Sequence, residues 1–215
     1  MKKPVLNMIM ATLLVFFFDG MASSQTDSTE KVATREETIK SIADHFVKVP
    51  TMAGEFIQFS PRGQQTGGTF YIQRPGKIRF VYEDPTPIKI ISNGKTVAVN
   101  NRKLKTWDFY PLKKTPLSLV LGKKMAIDPE NVREVHIDED LTTIVMGDDK
   151  IFGNSLITMM FDPRTFDLRQ WVIKDAQGKE TTVMIFNVEK NVKIPASYFK
   201  INQLAIRRDK LDNDR

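Results

Sequence analysis

Cysteine is absent from the 215 residues. In an exported protein this removes a disulfide framework, a thiol nucleophile and any thiolate metal site. It also removes the residue on which the chain could itself be acylated at a cleavage point. Histidine is nearly absent, with His45 and His136 the two copies, and no HExxH, GxSxG or P-loop pattern occurs. Asp138, Glu139 and Asp140 could hold a cation, but three acids in a turn read as solvated, as do Asp148 and Asp149. The chain is therefore read as not an enzyme, with no cofactor and no metal. No internal repeat is visible.

Long apolar runs are also missing, apart from Pro4 to Phe18. That run follows Lys2 and Lys3 and precedes Asp19, Gly20 and small residues from Ala22 to Ser24. A basic start, an apolar middle and a small-residue end describe a secretory signal peptide. The run falls short of the ~20 residues that span a bilayer. Cleavage after Ala22 or after Ser24 fits, so residues 1–22 are expected to be removed on export. The formal net charge is +6, and the mature chain stays basic. Export argues against nucleic acid, which leaves anionic membrane surfaces or acidic partners. Lys113–Lys114, Lys123–Lys124 and Arg207–Arg208 could contribute, or could simply keep the surface soluble.

Residues 23–33 are polar and read as a flexible lead. Thr34 and Glu37 have the capping-box spacing, and Ile39, Ile42, Ala43 and Phe46 form one apolar helical stripe before Pro50. After it, short strands follow at regular spacing: 52–56, 69–73, 77–82, 88–92, 96–99, 105–109, 135–138, 142–146, 155–161, 168–174 and 181–188. Asn93-Gly94, Asp148-Asp149, Asp162-Pro163 and Gln177-Gly178 punctuate them, Asn-Gly being the strongest short hairpin signal. Thr115 and Pro116 read as N-cap and first residue of a short apolar helix that Gly122 stops. A last short strand is expected at 198–201, and residues 206–215 read as a mobile charged tail. Strands without intervening helices imply an antiparallel meander, closed or partly closed into a barrel.

Alternation places Phe70, Ile72, Arg74, Ile78, Phe80 and Tyr82 on one face of a strand pair. That face is apolar except for a single arginine. It suits a packed core with Arg74 at the rim, or a cavity lining. Ten methionines, including Met125, Met146, Met159, Met160 and Met184, suit variable apolar partners or fill gaps in an ordinary core.

Several segments in fixed order resemble the LolA family of periplasmic lipoprotein carriers. They are Gly54-Glu-Phe-Ile-Gln58, Gly68 through Arg74-Pro-Gly to Tyr82, Ser92-Asn-Gly-Lys95, Thr115-Pro-Leu117, Phe161-Asp162, and 175–182. The resemblance implies a mainly β fold with a few short helices, an incomplete antiparallel barrel covered by a helical lid around an apolar cavity. It implies a single carrier domain over 34–205 that moves lipoproteins from the inner to the outer membrane. The lining would comprise Phe56, Phe70, Ile72, Ile78, Phe80 and Tyr82 from strands, with Leu117, Val120 and Leu121 from the lid, and Arg74 as the lid-gating residue. Implied partners are acylated lipoproteins as cargo, an inner-membrane lipoprotein-releasing ABC transporter and an outer-membrane receptor, with the carrier a monomer in the periplasm. Ile78 stands where many relatives carry an aromatic, and Val97-Ala98-Val99 where aromatics are usual. The alternative is a lipid- or lipoprotein-sensing or scaffold domain on the same fold.

Overall fold

In a computed structural model, residues 25–125, 131–147 and 153–214 are described. The expected signal peptide and the Asp148-Asp149 turn lie outside them. The chain opens with helix α1 (Gln25–Lys48), which begins well before the expected start at Thr34. No glycine or proline interrupts 25–48, and the segment before Thr34 is part of the helix rather than a free lead.

Six strands follow: β1 (Thr51–Phe59), β2 (Gln65–Gln73), β3 (Lys77–Tyr82), β4 (Ile88–Asn93), β5 (Thr96–Asn101) and β6 (Thr106–Pro111). A 3-10 turn (Leu112–Lys114) and the one-turn helix α2 (Leu117–Val120) come next. Five more strands complete the sheet: β7 (Val132–Ile137), β8 (Thr142–Gly147), β9 (Leu156–Phe161), β10 (Leu168–Lys174) and β11 (Glu180–Lys190). Every pairing is antiparallel, in the order β6-β5-β4-β3-β2-β1-β11-β10-β9-β8-β7. The sheet is open, with β6 and β7 as its edges. The chain between them must cross from one edge to the other, and α2 lies on that crossing.

One face of the sheet is apolar from β5 round to β7, while the edge strand β6 adds nothing to the core cluster. Phe56, Phe70, Phe80, Val97, Ile144, Met159 and Trp171, which come from strands far apart in that order, share one core cluster with Ile42 and Phe46 of α1 and Val120 of α2. Only a curled sheet brings them together. Gly68 helps: a Cβ there would meet the Val81 carbonyl at 2.0 Å. Without a side chain at Gly68, the Phe56 ring reaches across β2 to lie 5.1 Å from Tyr82. No helix among the described residues is long and apolar enough to cross a membrane.

The C-terminal segment departs from expectation. Residues 196–199 form a 3-10 turn instead of a strand, and 203–213 form helix α3 (Gln203–Asn213) instead of a mobile tail. Asn202 caps α3 by accepting from the amides of Leu204 and Ala205. Asp209, 7 % exposed, accepts from Trp107 Nε1 at 2.9 Å, and Asp212 pairs with Lys105 at 2.7 Å. The segment straps the outer face of β3 to β6, where Ile91 and Ala98 are buried. Thr115 is not a helix cap either; its hydroxyl donates back to the Leu112 carbonyl at 2.8 Å, which closes the preceding 3-10 turn.

Candidate functional site

The inner face and its cover hold all ten residues singled out from the sequence. Phe56, Phe70, Ile72, Ile78, Phe80 and Tyr82 project from β1, β2 and β3 into the core, each 7 % exposed or less. Leu117, Val120 and Leu121 descend onto them from α2 and the residue after it. Arg74 is buried as well, 8 % exposed.

Arg74 lies in the turn between β2 and β3 and fastens both covering helices. Its Nε donates to the Val120 carbonyl at 3.1 Å and its Nη1 to the Val49 carbonyl at 2.6 Å. These carbonyls stand at the C-terminal ends of α2 and α1, where helical acceptors lack intrahelical donors and a cation is favoured. The guanidinium also stacks over Phe46. Backbone bonds reinforce it: Arg74 N donates to Pro50 O at 2.8 Å and Gly76 N to Leu121 O at 2.7 Å. Among the described residues no carboxylate pairs with Arg74. Desolvation alone pushes its pKa down to about 10, so at neutral pH it remains a buried cation held by carbonyls. The turn is rigid. Gly76 has φ +80, and a Cβ there would lie 2.7 Å from Gly94 Cα, while Ser92 Oγ donates to Gly76 O at 2.7 Å.

A second fastening was not foreseen from sequence. His45 of α1 lies 2.7 Å from Asp167 Oδ1, and Lys190 donates to both carboxylate oxygens at 2.9 and 3.0 Å. Burial acts to raise the Asp167 pKa, but hydrogen bonds from Lys190 and His45 outweigh it and hold the carboxyl below its ordinary value. These partners lie 122 residues apart in the chain, and a lone histidine carries no signal of its ally. Among the described residues His136 pairs only with the exposed Glu134, and Asp138 to Asp140 are exposed.

Beside Arg74 the interior leaves a cavity of about 20 Å³, room for roughly one water. Phe46 of α1, Val49 just past it, Met52 of β1 and Phe161, Phe166 and Leu168 around the β9–β10 turn wall this space. At the opposite end of β3, about 17 Å away by strand rise, the interior opens. A cavity of about 780 Å³ is lined there by Gln58, Thr66, Tyr82, Pro85, Pro87, Ile88 and Ile90, among others, within the range of ligand sites. Tyr82 donates to Gln58 Oε1 at 2.7 Å, and burial pushes its phenol above the ordinary value.

The profile of the family described as outer membrane lipoprotein carrier protein LolA matches residues 47–202. An outer-membrane lipoprotein carrier protein of Azotobacter vinelandii is 26% identical over 178 residues, 76% of this chain and 83% of that one. Its counterpart from Chromohalobacter salexigens is 25% identical over 185 residues, 83% of this chain and 84% of that one. A crystal structure of an uncharacterized conserved protein from Thermus thermophilus is similar with a TM-score of 0.47 and 8% identity, over 80% of this chain and 96% of that one.

Proposed function

Because the chain belongs to the LolA family, we propose that it is a periplasmic carrier that shields the acyl chains of lipoproteins on their way from the inner to the outer membrane. The observation that carries this reading is an apolar sheet face closed by a cover to which the Arg74 side chain hydrogen-bonds through carbonyl acceptors. Each buried CH₂ of an acyl chain contributes about 0.8 kcal/mol. Binding built on such increments alone would be too strong to reverse. Here the cargo must displace Leu117, Val120 and Leu121 from their apolar seats and break the Arg74 hydrogen bonds. Closing again recovers both, which offsets part of the cargo's binding energy and leaves transfer near balance. The strand residues from Phe56 to Tyr82 would line the occupied cavity, and Arg74 would gate it.

Cargo would arrive from an inner-membrane lipoprotein-releasing transporter and leave to an outer-membrane acceptor. No step in this cycle makes or breaks a covalent bond. The test is to purify the mature chain from the periplasm without detergent and examine it by native mass spectrometry with lipid extraction. Co-purified acylated lipoprotein supports the carrier. A clean apo mass, together with no uptake of a fluorescent acyl probe, would rule it out.

A further inference from the structure

The outer face carries another cavity, set back to back with the mouth across β3 and β4. It measures about 150 Å³ and is lined by Arg79, Val81, Tyr82, Ile88, Lys89 and Arg102. That space is several times what one water needs, enough for a tetrahedral anion. Tyr82 and Ile88 line both cavities, so only the thickness of the sheet separates them.

Three cations converge on this space with little to balance them. Arg79 Nη1 donates to Tyr198 O at 3.2 Å, but its Nε is buried with no hydrogen-bond partner. A buried donor left unpaired is costly. Among the described residues the Lys89 side chain has neither a hydrogen-bond nor an ion-pair partner. Its ammonium is held below the ordinary value by burial first, then by repulsion from Arg79 and Arg102. Arg102 is fixed by donating from Nη2 to Thr86 O at 2.9 Å and from Nε to Pro87 O at 3.4 Å, the loop that borders the mouth. Asp84, 98 % exposed, lies 3.8 Å from Arg102, a screened pair of little weight.

We propose that this cavity binds an anionic phosphate group, and that its source is the headgroup of an acidic phospholipid. A phosphate in this space would accept from the Lys89 ammonium and pair with Arg102, neutralising both together. Val81, 39 % exposed at the cavity wall, offers the apolar contact that a lipid backbone uses and a free ion does not. The headgroup assignment rests on the carrier reading: held here, the mouth would face the membrane that supplies or receives cargo.

The test uses the mature chain in flotation with phosphatidylglycerol–phosphatidylethanolamine vesicles, phosphatidylcholine vesicles as reference, and a parallel titration with inorganic phosphate. Lys89→Gln combined with Arg102→Gln should weaken binding to the acidic vesicles about thirtyfold. Its circular dichroism and its uptake of a fluorescent acyl probe should not change, and Lys89→Arg should keep the binding. Saturable binding of inorganic phosphate without preference for acidic vesicles would overturn the headgroup assignment and leave a phosphate site. Equal binding of both ligands by wild type and the double variant would overturn the site itself. Vesicle binding without acyl-probe uptake would instead count against the carrier and leave this proposal standing.

Discussion

The guanidinium carbon of Arg74 stands 3.8 Å from the centre of the Phe46 ring, so the turn between β2 and β3 is clamped to the last turn of α1. The same side chain reaches Val49 O and Val120 O. One residue thus connects the helix entering the sheet with the helix that crosses its open side.

Arg74→Leu keeps apolar volume and removes both side-chain bonds. Circular dichroism should be unchanged, while amide exchange in α2 should speed up by tenfold or more, since bonds from a charged donor contribute about 1.5–3 kcal/mol each. Cargo should still load, but release to acceptor membranes should fall sharply because closure no longer competes with it. Arg74→Lys, a point donor in place of a fork, should recover part of the release. Unaltered exchange in α2 would show that Arg74 does not hold the lid.

Gly76→Ala tests the turn that aims Arg74. The residue has a left-handed φ of +80 and no room for a Cβ against Gly94. A loss of about 2 kcal/mol or more in denaturant unfolding is expected. A change within about 0.5 kcal/mol would mean that the two turns are not packed as described.

Asp167 should give acid sensitivity of known sign. Its pKa is lowered in the folded chain, chiefly by Lys190 and His45 against the opposing effect of burial. Its contribution is therefore present above the unfolded carboxylate value near 3.9 and lost as pH falls through the lowered one. Asp167→Asn should be less stable than wild type by about 0.5–1 kcal/mol at pH 7, given a partly exposed pair. The gap should begin to close below about pH 4 and vanish below the lowered value. A gap that persists in acid would assign the effect to packing rather than charge.

Asp209→Ala should release α3 by removing the acceptor of Trp107 Nε1. Limited trypsin digestion at Arg207 and Arg208 should become at least several-fold faster, with the core untouched. An unchanged rate would mean that α3 is held by other contacts.

Strands and the inward face were legible because each carries its signal locally. Alternation from Phe70 to Tyr82 fixes which residues share a face, and Asn93-Gly94 marks its hairpin. The edges of the reading failed where the deciding partner is remote. Helix α3 reads as a charged tail until Asp209 finds Trp107, 102 residues earlier. His45 gains meaning only beside Asp167. The length of α1 was missed because a strong capping pattern at Thr34 outweighed the absence of any breaker upstream. Arg74 is legible as an arginine on an apolar face, and the family resemblance implies acceptors on the lid backbone, where Val120 O lies; Val49 O, just past α1, is a backbone atom that no side-chain pattern reveals.

The chain contains two tryptophans, and they report on opposite sides of the sheet. Trp171 is 1 % exposed in the interior, 6.3 Å from Phe80, whereas Trp107 lies outside against α3. The most direct measurement is fluorescence quenching by a triacylated lipopeptide with brominated acyl chains, in Trp107→Phe and Trp171→Phe separately. Saturable quenching in Trp107→Phe, with none in Trp171→Phe, is expected if acyl chains enter between lid and sheet. Quenching of Trp107 alone, or of neither while the lipopeptide is bound, would contradict an interior acyl site.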